Sequence, residues 1–203
     1  MAPMRPSAIG MRPHTGWAAV VALAGAPSGP EVVARRRIDM ATTFDEGAVY
    51  HVGRELPLPR AEALLRSSEE RFLRVARTAL ADLADELRAG GCEPVASAVV
   101  SGGGRPLPPL QAILRSHPLV HAAEGELYRQ VLLRASEECR LPVQRVSAKE
   151  LPALAARALG VTPERLGARL AALGRAAGRP WARDQKESAL AAWIALAAHR
   201  GSG

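Results

Sequence analysis

At 203 residues and 48% hydrophobic content, the chain is long enough for one domain with a sizeable core and too apolar for wholesale disorder. A formal net charge of +7 admits a phosphate-rich partner, but all except two of the 27 basic residues (Lys149 and Lys186) are arginines, a usage that GC-rich codons impose on proteins of any function. No apolar run approaches the ~18 residues of a membrane span, no secretory pattern opens the chain, and Cys92 and Cys139 lack metal-type spacing. A soluble cytoplasmic protein with free thiols is therefore expected.

Residues 1–13, carrying Pro3, Pro6 and Pro13, are expected to form a flexible leader, and residues 14–200 a single domain. Thr15–Ala24 (TGWAAVVALA) is apolar and bounded by the breakers of 25–30, which predicts a buried strand. Glu31–Thr42 reads as a second strand joined by a hairpin turn, and Ala48–Arg54 (AVYHVGR) as a third. A helix follows over Pro59–Arg88, where Leu64, Leu65, Phe72, Val75, Leu80, Leu83 and Leu87 recur at helical spacing. Pro59 suits its first turn, and Gly90–Gly91 its end. Pro94–Ser101 reads as a central parallel strand, Leu119–Arg140 as a helix and Leu141–Val146 as a fifth strand. Helices over 148–159, 163–177 and 184–199 complete the chain. The order βββαβαβ followed by helices predicts an α/β fold: a mixed five-stranded sheet with helices on both faces, the ribonuclease H-like arrangement.

Three segments resemble the RuvC family of Holliday-junction resolvases. His14–Val21 (HTGWAAVV) resembles a TGW-type first strand. Ala135–Glu150 resembles the passage from a helix through the last strand into a Lys-bearing helix. Asp184–Trp193 (DQKESALAAW) is similar to a terminal helix that begins with two acids three residues apart. The chain also resembles a group of bacterial proteins sharing GWAAVV, HAxEGxLxR and DxKxxALAAW-type segments, which implies no function. The resolvase resemblance implies four carboxylates holding two divalent metals. Its last pair falls on Asp184 and Glu187. The first-strand acid has no counterpart, because the segment before Gly16 reads Arg12, Pro13, His14, Thr15. The strand before Gly102 ends in Val99, Val100, Ser101 and also lacks an acid.

Each candidate residue carries a second reading. Asp184-x-x-Glu187 is also a capping box, as is Ser147-x-x-Glu150. His121 and Glu124 share a face near the start of the helix after the central strand, where α/β proteins deliver side chains to the ligand crevice. Glu124 could there replace the missing strand acid, or only complement the helix dipole. His51 could face the same crevice or pack at the surface. Gly102–Gly104 lacks the ending of a phosphate loop and reads as a loop. Arg35–Arg37 reads as a solvated face that could also track a phosphate backbone. Trp17, Trp181 and Trp193 are assigned to the core, and no Ser-His-Asp or Cys-His constellation assembles.

The resulting functional expectation is a RuvC-like domain with a degenerate active site, serving as a nucleic-acid or protein-binding module without a cofactor. The alternative is a metal-dependent endonuclease on branched DNA, using Glu124, Asp184, Glu187 and His121, with the three acids holding Mg²⁺ or Mn²⁺. Expected partners are structured DNA or RNA or a protein. No membrane partner is expected, and the long helix offers a homodimer surface.

Overall fold

The computed structural model describes residues 3–103 and 106–200. Five strands form one sheet: β1 (Arg5–His14), β2 (Trp17–Ala24), β3 (Glu31–Asp39), β4 (Cys92–Ser101) and β5 (Val143–Ser147), in the spatial order β3-β2-β1-β4-β5. The three leading strands run antiparallel, while β4 is parallel to both β1 and β5. The mixed sheet with helices on both faces is the arrangement expected from the sequence.

Two segments depart from expectation in opposite directions, and the strand count survives only because they offset each other. The leader assigned to 1–13 contains β1 over Arg5–His14, the middle strand of the sheet; Met1 and Ala2 lie outside the described residues. Prolines hid it. Pro13 sits next to the strand end, and Pro6 precedes the register shift between Ser7 and Ala8 in the pairing with β4, places where a missing amide is tolerated. The TGW motif accordingly lies on the turn between β1 and β2, where Gly16 takes φ +80°, and not at the start of a first strand. Conversely, Ala48–Arg54 is not a strand. It follows the short helix α1 (Phe44–Gly47) and contains α2 (Val49–Gly53). Thr43 opens α1 by accepting from the Glu46 amide at 3.2 Å. A short apolar run carries too little periodicity to separate strand from helix, and here the buried Tyr128 hydroxyl fixes the segment by donating to the Gly47 carbonyl at 2.7 Å.

Strand alternation divides the core into two layers. Ile9, Met11, Val20 and Ala22 face α3 (Leu58–Ala89) and α5 (His117–Glu138), meeting Phe72, Leu80, Tyr128 and Val131. Ala8, Val21, Leu23, Ala98 and Val100 face α6 (Leu151–Leu159), α7 (Pro163–Ala177) and α8 (Arg183–Arg200), meeting Leu151, Leu166 and Trp193. Each fully buried large side chain contributes roughly 1.5–3 kcal/mol of burial free energy. The α3 stripe holds at Phe72, Leu80, Leu83 and Leu87, whereas Val75 is exposed and Ala61, Ala76 and Ala84 are buried instead. A small helix α4 (Leu110–Leu114) precedes α5. Both cysteines are free, and among the described residues no helix is long and apolar enough to cross a membrane.

The approach of α8 to the sheet positions the acidic pair. Gly10, paired with both Val21 and Ala98, has no room for a β-carbon, because the backbone of Ser188 and Ala192 lies directly over it. Ser188 is buried and donates its hydroxyl to the Ala19 carbonyl at 3.0 Å. The Ala-rich face at 189, 191, 192 and 195 thus lets helix and sheet backbones nearly touch. One turn before Ser188, Asp184 then stands over the end of β1.

Candidate functional site

At the carboxyl end of β1 Arg12 and His14 meet the acids of α8. Arg12 Nε lies 2.8 Å from Asp184 Oδ1, and Arg12 Nη1 pairs with Glu187 Oε2. His14 Nε2 is 3.1 Å from the same Asp184 oxygen, and Arg183 Nε reaches Glu187 Oε1 at 2.6 Å. Arg12, Asp184 and Glu187 are largely covered, with 18%, 28% and 15% of their side chains exposed, so these pairs are better shielded from solvent than surface ion pairs. The capping-box reading of the acids does not hold. It is Gln185 that reaches back, accepting from the Ala182 amide at 3.0 Å, which leaves Asp184 and Glu187 pointing toward β1.

His14 in turn stacks on Trp17 with ring centroids 4.1 Å apart and an 8° interplanar angle, and the Arg37 guanidinium lies 3.9 Å from the Trp17 ring centre. Trp17 is therefore a half-buried rim residue and not a core one; Trp193 is buried as expected. Beside it opens a groove of about 550 Å³, lined by Trp17, Arg35, Arg37, Pro180 and Gln185. The three arginines of β3 are committed locally. Arg35 donates to the carbonyls of Gly178 and Pro180 at 2.8 and 2.7 Å, Arg36 pairs with Glu86 and Arg37 with Asp39.

The end of β4 carries no carboxylate. Ser101 is buried and donates to the Val146 carbonyl at 3.4 Å. Gly102 and Gly103 follow without regular structure, and Gly104 lies outside the described residues. Glu126 on α5 binds Arg145 of β5 at 2.7 Å and Arg129 at 2.9 Å. Partial burial opposes its ionisation, but Arg145, Arg129 and Gln130 outweigh this and hold the carboxyl below its ordinary range.

Glu124 joins a different network from Asp184 and Glu187. Only 2% exposed, it hydrogen-bonds His51 Nδ1 at 2.6 Å through Oε2 and accepts from the Tyr50 amide at 3.3 Å through Oε1. Burial raises its pKa, against the opposing pull of His51 and that amide. The same burial, reinforced by the charge of Glu124, pushes the Tyr128 hydroxyl upward. His121 does not bond Glu124; its Nε2 lies 3.0 Å from His117 Nε2. The histidines His51, His117 and His121 form one group, each contributing a ring nitrogen within 4.8 Å of the others. Sequence reading missed Arg12, His117 and Glu126 as site residues. His117-x-x-x-His121 at the start of a helix was the one local signal available; the partners of Arg12 and Glu126 lie on distant segments.

The residues at the acidic pair do not fit a pair of divalent metals. Both carboxylates already face cations, and the two strand ends supply Arg12 and Ser101 where hard cations want oxygen anions.

No family model matches the sequence, and no curated protein does either. Solved structures do match. Thermus thermophilus RuvC in complex with a Holliday junction substrate is similar at 13% identity and TM-score 0.59, covering 97% of this chain and 96% of that one. T. thermophilus RuvC by itself is similar at 12% identity and TM-score 0.57, with the same coverage. The fold is RuvC-like from end to end.

Proposed function

We propose that this protein is a RuvC-like module that binds structured nucleic acid and does not cut it. The observation that carries the reading is Arg12, whose guanidinium faces Asp184 and Glu187 together, so that a fixed cation occupies the side on which a metal would have to be held. A cleavage mechanism through two metals needs several converging carboxylates. Asp184 and Glu187 are neutralised in one network and Glu124 is held by His51 in another. No step through Mg²⁺ or Mn²⁺ is therefore derived.

Nucleic-acid binding is supported by the net charge of +7 and by the full-length likeness to a protein seen with a Holliday junction. The groove beside Trp17 is lined by Arg35, whose guanidinium is held by backbone carbonyls and keeps its charge for a phosphate. The test is titration of the full chain with four-way-junction DNA across a salt series, with cleavage assayed in Mg²⁺ and Mn²⁺. Binding that weakens steeply with salt, without strand scission, is expected. Scission abolished by Asp184→Asn would replace this reading with the endonuclease one, and absence of junction binding would leave the scaffold to a protein partner.

A further inference from the structure

The three-histidine group is the strongest feature that the acidic pair does not absorb. His117 and His121 lie one turn apart on α5, so both rings leave the same helix face. His51 comes from α2 and closes the group from across the interface, its ring centroid 4.6 Å from that of His121 and 5.7 Å from that of His117. His51 Nδ1 is engaged by Glu124, which leaves Nε2 as the nitrogen free to ligate an ion. A carboxylate bonded to the distal nitrogen of a histidine is the arrangement that fixes ring orientation and raises basicity in imidazole metal sites. Glu124 is built for such support, since it is almost wholly buried and anchored a second time on the Tyr50 amide.

We infer that His51, His117 and His121 bind one divalent transition-metal ion, zinc above all, with Glu124 orienting His51 from behind. Three imidazoles suit zinc, cobalt or nickel and disfavour magnesium or calcium, which want oxygen ligands. Nitrogen donors about 2.0–2.1 Å from a tetrahedral ion stand roughly 3.3 Å apart. The 3.0 Å between His117 and His121 is already close to this, and His51 has a short distance to close. His117 and His121 are exposed, which leaves the fourth position on the solvent side, as in open three-ligand sites. The ion would tie α2 to α5.

One contact competes. Arg54 Nη1 donates to His117 Nδ1 at 3.1 Å, which places the proton of a neutral His117 on Nε2. Coordination through Nε2 requires the opposite tautomer, so Arg54 must withdraw when the ion enters. Arg54 is exposed and free to do so.

The test is calorimetric titration of the chelator-treated full chain with Zn²⁺ alone, alongside Mg²⁺, with the shift of the thermal unfolding midpoint as a second readout and the visible bands of Co²⁺ as a third. Expected are one Zn²⁺ per chain, a higher unfolding midpoint with Zn²⁺ but not with Mg²⁺, and Co²⁺ bands of low coordination number. His121→Gln and His117→Gln, exposed substitutions whose folding is verified by circular dichroism, should abolish stoichiometric binding, while His199→Ala should leave it intact. Glu124→Gln should weaken binding about 10–100-fold, and Arg54→Ala should tighten it. Zn²⁺ binding that is absent, that survives both His117→Gln and His121→Gln, or that is lost equally in His199→Ala would overturn the assignment.

Discussion

The carbonyl oxygen of Ser188 on α8 stands so close over Gly10 of β1 that no β-carbon fits between them. That contact seats the helix on the sheet and sets where its acids fall. In Gly10→Ala, α8 must lift from the sheet, because the obstructing atoms are backbone and not the tip of a flexible side chain. A loss of stability of about 1–3 kcal/mol or more is expected from such overpacking, read as a lower urea midpoint with the slope unchanged.

Arg12 decides the chemistry of the acidic pair. Arg12→Asp puts a third carboxylate beside Asp184 and Glu187 and removes the fixed cation. The wild-type unfolding midpoint should be unmoved by Mg²⁺, whereas that of the variant should rise with Mg²⁺ and lose the response on adding Asp184→Asn. Arg12→Ala should destabilise the chain by about 1–3 kcal/mol at low salt, the range for part-buried charged groups left without their partner. An Arg12→Asp variant indifferent to Mg²⁺ would show that the two carboxylates cannot share a ligand.

Tyr128 ties α5 to the segment before α2. Tyr128→Phe leaves the buried end of the Gly47 carbonyl without its 2.7 Å donor, a loss of about 1–3 kcal/mol. Its ring contact with Phe72, at 5.1 Å between centroids, survives in the variant. If stability were unchanged, the α1–α2 segment would owe its place to other contacts.

Glu126 gives the molecule a signature at acid pH. Its folded-state pKa is depressed, so the unfolded chain binds the proton more tightly and stability falls as pH falls. The contribution is complete above the ordinary pKa of 4.5 and disappears as pH drops through the lower folded value. Denaturant midpoints measured from neutral pH downward should fall in this window, and Glu126→Gln should flatten that part of the curve. An identical profile in the variant would assign the acid sensitivity to other carboxylates.

Much of the architecture was legible in the sequence. The long helix showed itself through Phe72, Leu80, Leu83 and Leu87, because burial on one face of a regular helix repeats locally. β2 and β4 showed themselves as apolar runs buried on both sides. β1 did not, for its central position is occupied by Gly10, a residue with no apolar signal that is there because a helix presses on the strand. The helical turns around His51 were misread as a strand for a related reason: their conformation is secured by Tyr128, which lies far along the chain.

The sequence by itself determined four of the five strands, the long helices, a sheet covered on both faces and the presence of two acids at the start of the last helix. Only the tertiary structure decided what those acids meet, since an ion pair between β1 and α8 leaves no trace in local periodicity. It also separated Glu124 from them and gave it to His51, assembling three histidines from two helices. Patterning records which side of an element is buried. Charge partners are set by the docking of whole elements, and here by how closely α8 can approach a glycine.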